Sequence, residues 1–173
     1  MKFRTFFLLW IAAVSSLFGC SSSGVHLGPK IEVSSYSEKI FILEQSCELD
    51  VKSDFSNIEV YGWDKEEIKF EITRRVRGTQ KKSELEVKLN DITIAASQNA
   101  GILEFKSQYK GSIKGIADKS VDLKIFVPRK IRKMSFSVEA GSMKFYDDVK
   151  GELNIRMDMA NIDIGRFNQR DCR

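Results

Sequence analysis

Few residues in this chain have the type and spacing to do chemistry: one histidine, three cysteines, and several clusters of acidic or basic side chains. His26 is the only histidine. A catalytic triad needs an imidazole set between a nucleophile and an acid, and a multi-histidine metal site needs more than one ring, so neither can be built. His26 sits among small polar residues and is expected to be a solvated linker residue. Cys47 shares its parity with Leu49 and Val51, which predicts a small, inward-pointing apolar side chain. Cys172 lies close to the end of the chain, and in an oxidising compartment Cys47 and Cys172 form a candidate disulfide. Sequence alone does not give their Cα separation. A catalytic thiol would lack a histidine partner.

Asp64-Lys65-Glu66-Glu67 and Asp147-Asp148 offer paired carboxylates for acid–base work or calcium. The glycine-rich nonapeptide of calcium-binding β-rolls is absent, so solvated turns are the better expectation, and no cofactor is implied. Arg74, Arg75 and Arg77, followed by Lys81 and Lys82, make a run that suits an anionic partner. Each basic residue near a charged membrane or envelope surface contributes about 1 kcal/mol. The plainer alternative is a solvated run that protects a strand edge. Arg129-Lys130 and Arg132-Lys133 pose the same choice. Tyr61, Phe126 and Tyr146 take outward parity as a potential ligand-facing patch, although single exposed aromatics need no explanation.

The start of the chain carries an address. Lys2 and Arg4 precede a largely apolar run from Phe6 to Phe18, shorter than the roughly 17–25 residues of a spanning helix. The run closes at Leu17-Phe18-Gly19-Cys20, followed by Ser21-Ser22-Ser23-Gly24. This resembles the bacterial lipoprotein signal: Leu17, Gly19 and Cys20 take the pattern's positions, while Phe18 is bulkier than the usual residue there. The resemblance implies a signal peptide over 1–19 and lipidation of Cys20 as the new N-terminus. The alternative is an ordinary secretory signal with a chance cysteine. One acyl chain holds a protein marginally and two or three hold it stably, at about 0.8 kcal/mol per buried methylene. The implied localisation is extracytoplasmic, on a bacterial membrane facing the cell surface or the periplasm. The formal charge of +4 falls closer to neutral once Lys2 and Arg4 leave, which gives no support to nucleic acid as a partner.

The elements that must position these residues are strands. Residues 20–30 form a small, polar tether closed by Gly28-Pro29, and residues 31–173 a single domain. Met134 and Phe136, Met143 and Phe145, Leu153 and Ile155, and Ile162 and Ile164 are apolar pairs spaced by two, with polar residues between them. Period two predicts strands with one buried face. Leu49 and Val51, Ile58 and Val60, and Ile68, Phe70 and Ile72 repeat the pattern earlier in the chain. Ile92 and Ile94, Leu103 and Phe105, and Leu123, Ile125 and Val127 supply further strands, the last closed by Pro128. Leu85 and Leu89 are at helical spacing, although Leu85, Val87 and Leu89 also alternate; lysine and glutamate between them favour a short helix. The even step between pairs, without Asn-Gly or Asp-Gly hairpin turns, predicts an all-β fold built as a right-handed, single-stranded β-helix or β-roll-like repeat. An antiparallel β-sandwich is the alternative.

Gly62-Trp63-Asp64 after the Ile58–Val60 strand, and Val121 to Pro128 followed by runs punctuated at Gly141, Gly151 and Gly165, resemble the bacterial "putative adhesin" domain of unknown function. The resemblance spans roughly 39–167. It implies a β-helix-like repeat domain on secreted or membrane-attached proteins, with no catalytic residues to carry over. The function expected is that of a non-enzymatic envelope lipoprotein presenting its domain for adhesion or surface interaction, with envelope polymers or another protein as partners. A scaffold or regulatory module that pairs through an open solenoid edge is the alternative, and a carboxylate-only glycan-active enzyme is a remote third.

Overall fold

A computed structural model describes residues 29–43, 47–164 and 167–169. The expected signal peptide over 1–19, Cys20, most of the expected tether with His26, and Cys172 lie outside the described residues. Among the described residues nine strands and one helix follow in order: β1 (Ile31–Ile42), β2 (Glu48–Trp63), β3 (Glu67–Gly78), α1 (Lys82–Asn90), β4 (Ile92–Asn99), β5 (Ile102–Tyr109), β6 (Ile116–Pro128), β7 (Lys130–Phe145), β8 (Val149–Ile164) and β9 (Phe167–Gln169). Among the described residues no helix is long and apolar enough to cross a membrane.

The strands form one mixed sheet in the order β1-β3-β6-β2-β7-β8-β9, with β5 on the first half of β2 and β4 beside β5. This corrects both expected architectures. A solenoid would stack every strand in parallel, yet β1–β3, β3–β6 and β4–β5 are antiparallel. A sandwich would set two antiparallel sheets face to face, yet β2 pairs in parallel with β5, β6 and β7 within one sheet. The fold is instead a curled half-barrel, mostly β with one short helix. Strand length is one source of the difference. Ser53-Asp54 does not end a strand, and Leu49–Val51 and Ile58–Val60 belong to one 16-residue β2 that bends between them. β7 and β8 are 16 residues long for the same reason.

Curling also explains a connection that looks too short. Parallel neighbours ordinarily need a crossover of about a dozen residues or more. Here β8 follows β7 after Tyr146, Asp147 and Asp148 alone, with Lys130 opposite Lys150 and Phe145 opposite Ile164. The two ends of β7 must therefore lie close together, which a straight strand forbids.

Inward parity builds the core. Phe70, Ile125, Val60 and Phe145 form one apolar row across β3, β6, β2 and β7, and Ile72, Leu123, Ile58 and Met143 the next. Leu103, Leu49 and Met134, with Phe105, Val51 and Phe136, extend it over the other half. Phe70 stacks on Phe105, with ring centroids 5.0 Å apart, and joins the two halves. At the bend the core turns polar: buried Ser53 lies 2.5 Å from Ser56 and 2.6 Å from Ser107, hydroxyl to hydroxyl. The helix settles the Leu85–Leu89 ambiguity, because Leu85 and Leu89 are buried while Val87 between them is 64% exposed.

Candidate functional site

Outward parity writes rows of like chemistry across the sheet. Ile40, Lys69, Phe126 and Tyr61 lie side by side on β1, β3, β6 and β2, and Tyr146 follows the β7 residue that pairs with Val60. Tyr61 stacks between Phe126 at 5.1 Å and Tyr146 at 4.8 Å, and the two tyrosine planes are only 2° apart. Lys69 covers Phe126 at 4.5 Å, Lys144 approaches Tyr146 at 4.9 Å, and Trp63 leans on Phe126 at 5.4 Å. The three aromatics named from sequence are thus brought together. Their faces meet each other and the lysines, so this is a rib binding three strands, with no broad aromatic platform left for a ligand.

Beside the rib runs a row of charges: Glu38, Glu71, Lys124, Glu59, Lys144 and Asp163. Glu59 accepts from the Tyr61 hydroxyl at 2.9 Å and the Tyr146 hydroxyl at 3.3 Å, and Lys124 sits 3.7 Å away. The Tyr61 hydroxyl is pushed well above the ordinary tyrosine range, first by removal from water and then by its bond to Glu59. The folded chain therefore holds that proton more tightly than the unfolded chain does. The stability it contributes is complete below about pH 10 and is lost as pH rises further. Tyr61→Phe is expected to flatten the alkaline fall in stability, read from urea midpoints between about pH 9 and about pH 11. An equally steep fall in the variant would assign it elsewhere.

The third row is polar. Arg75 pairs with Asp122, Asp122 accepts from Asn57 Nδ2 at 3.0 Å, and Asn57 Oδ1 accepts from Ser142 at 3.0 Å. This chain of contacts crosses β3, β6, β2 and β7. Two adjoining hollows open along it. One, of about 380 Å³, is lined by Phe55, Asn57, Arg75, Lys119, Asp122 and Gly141. The other, of about 360 Å³, shares Asn57, Arg75 and Asp122 and adds Glu59 and Lys124. Together they make an open furrow with fixed donors and acceptors. Sequence reasoning missed Asn57, Asp122 and Ser142, although each immediately precedes a core residue, Ile58, Leu123 or Met143. That position was the available signal.

The basic run is divided by strand alternation. Arg74 donates from Nε to Ser35 and from an Nη to the Ile92 carbonyl, both at 3.0 Å, and so serves the scaffold. Arg75 is held in the furrow, while Arg77 is exposed near Lys81 and Lys82, with Lys82 4.0 Å from Glu86. Cys47 is buried, and burial pushes its thiol up, favouring the protonated form. Asp64 pairs with Arg129 at 2.9 Å and Lys65 with Glu67 at 3.3 Å. Among the described residues no three histidine, cysteine or acidic side chains are grouped to hold a metal.

Among solved structures the chain is similar to a "putative adhesin" from Bacteroides fragilis, at 8% identity and a TM-score of 0.46, over 79% of this chain and 56% of that one. A "putative cell adhesion protein" from Clostridium sporogenes matches at 13% identity and a TM-score of 0.43, over 76% of this chain and 61% of that one. A "putative adhesin" from Parabacteroides merdae matches at 10% identity and a TM-score of 0.39, over 78% and 57%. The neighbours are thus bacterial proteins described as adhesins, and the chain spans little more than half the length of each. No protein-family model and no curated protein matches the sequence.

Proposed function

We propose that the protein is a non-enzymatic, adhesion-type binding module of the bacterial envelope, anchored outside the membrane through a lipid on Cys20. Its binding surface is the furrow over Asn57, Arg75 and Asp122. The observation that supports this is the contact chain Arg75–Asp122–Asn57–Ser142, which holds polar groups from four strands in place beside two open hollows. An open, polar, strand-crossing furrow suits an extended polymer with many hydroxyl or amide groups, because prearranged donors and acceptors lose little freedom on binding. Cells displaying the protein should adhere to isolated envelope material. Asn57→Ala combined with Asp122→Ala should lower that adhesion about tenfold at equal surface display, since two polar contacts are lost at about 0.5–1.5 kcal/mol each. Unchanged adhesion would remove the furrow from the account.

A further inference from the structure

The fold collects exposed basic residues at one end, where the described chain begins. β1 starts at Ile31 opposite Gly78, and Gly78 in turn lies opposite Ile116, so Lys30, the β3–α1 connection and the loop after Tyr109 share one pole. Lys30, Lys81, Lys110 and Lys114 are exposed there and make no ion pair among the described residues. Acidic groups share this pole: Glu32 and Asp118 stand opposite Arg77, Glu86 pairs with Lys82, Glu84 opens α1, and Asp91 lies against Gly111 of the loop.

The loop between Lys110 and Lys114 carries a second feature. Ile113 at its tip is 71% exposed. The loop is pinned beneath it, because the Ser112 carbonyl accepts from Lys88 Nζ at 2.9 Å and from the Tyr109 hydroxyl at 2.8 Å. An isoleucine held out to solvent between two free lysines has the composition of a shallow membrane insertion: an apolar wedge with cations at headgroup level.

The opposite end is mixed in charge, its carboxylates set against Lys65, Arg129 and Lys130. Asp64 and Glu66 turn from β2 into β3, and the β7–β8 connection carries Asp147 and Asp148 next to Gly62. β3 alone separates the two ends by about 36 Å, which is several Debye lengths at physiological salt. The unpaired lysines around Ile113 are therefore screened from the charges at the far end.

We infer that this basic pole docks on an anionic lipid bilayer, with Ile113 inserted and Lys30, Lys81, Lys110 and Lys114 at the headgroups. The inference rests on the envelope reading above for its setting. Ten residues from Cys20 to Lys30 reach at most about 35 Å, so a chain anchored at Cys20 keeps this pole within range of the surface. Docking would leave the opposite end directed outward.

The test uses the chain as cells export it, mixed with vesicles of neutral phosphatidylcholine or with vesicles also containing phosphatidylglycerol. Sedimentation reports binding, and amine-reactive labelling read by mass spectrometry reports which lysines are covered. On anionic vesicles, labelling of Lys110 and Lys114 is expected to fall about fivefold relative to neutral vesicles. Lys65, at the far end, should be unaffected, and high salt should restore labelling at the pole. The combined Ile113→Asp and Lys114→Glu variant, confined to an exposed tip, should lose the protection of Lys110. Equal labelling of both ends on anionic vesicles would overturn the inference, as would failure to sediment with either vesicle. Sedimentation with anionic vesicles only, with the pole protected, would sustain the docking and remove the lipid anchor instead.

Discussion

Replacing Gly141 by alanine should destabilise the protein by on the order of 4 kcal/mol, since the change combines a strained backbone with a collision in the core. Gly141 sits inside β7 with φ +140°, a conformation that side-chain-bearing residues rarely adopt. A Cβ there would stand 1.9 Å from the Ser56 carbonyl oxygen and 2.7 Å from its carbon. Those atoms are backbone of the paired strand, so no side-chain rotation relieves the contact. For a domain of this size the expected loss corresponds to roughly 10–20 °C in melting temperature. Ser142→Ala, the next residue, removes one exposed hydrogen bond to Asn57 and should shift the midpoint by only a few degrees. Similar melting of the two variants would mean that the bend does not depend on the close approach of Gly141 to Ser56.

Phe105→Ala should cost about 3–5 kcal/mol in urea unfolding, the range for emptying a fully buried aromatic position. Phe105 lies on β5, its ring against Phe70 of β3, and Phe41 meets Phe70 edge-on at 6.0 Å. Among the described residues no ladder joins β5 to β3, and β5 pairs with β2 and β4. The rings therefore span the hollow of the curl, where the contact depends on side chains alone. Phe70→Ala added to Phe105→Ala should lose less than the sum of the two single changes, by about 0.5–1.5 kcal/mol. Strict additivity would show that the two rings act independently and that the halves of the curl are not packed as one core.

Much of the core was legible because strand parity is local. Leu49, Val51, Ile58, Val60, Met143 and Phe145 alternate with polar neighbours, and all are buried. The architecture was not legible in the same way. Whether Ser53-Asp54 turns the chain back or only bends it is decided by pairing between residues far apart in sequence, such as Ser56 opposite Gly141. An even step of apolar pairs is equally consistent with stacked coils and with bent strands in a mixed sheet, so periodicity alone favoured the wrong one. The furrow was hidden for a related reason: Asp122 meets Asn57 across 65 residues and Ser142 meets it across 85. Charge runs were visible as composition, but alternation sent Arg74 and Arg75 to different tasks.

The placement of β2 has a consequence for how the protein is made. Nearly everything it pairs with arrives later: β5, β6 and β7 all follow it in the chain, at separations such as the 54 residues between Ser53 and Ser107. A nascent chain therefore presents the spine of the sheet with both flanks bare, and little of the final structure can form until the last third has emerged. Assembly should be slow and nearly all-or-none, as expected for chains dominated by distant contacts. Until then that spine needs shelter from neighbouring molecules, and its amides, once enclosed, should be among the last to exchange with deuterium.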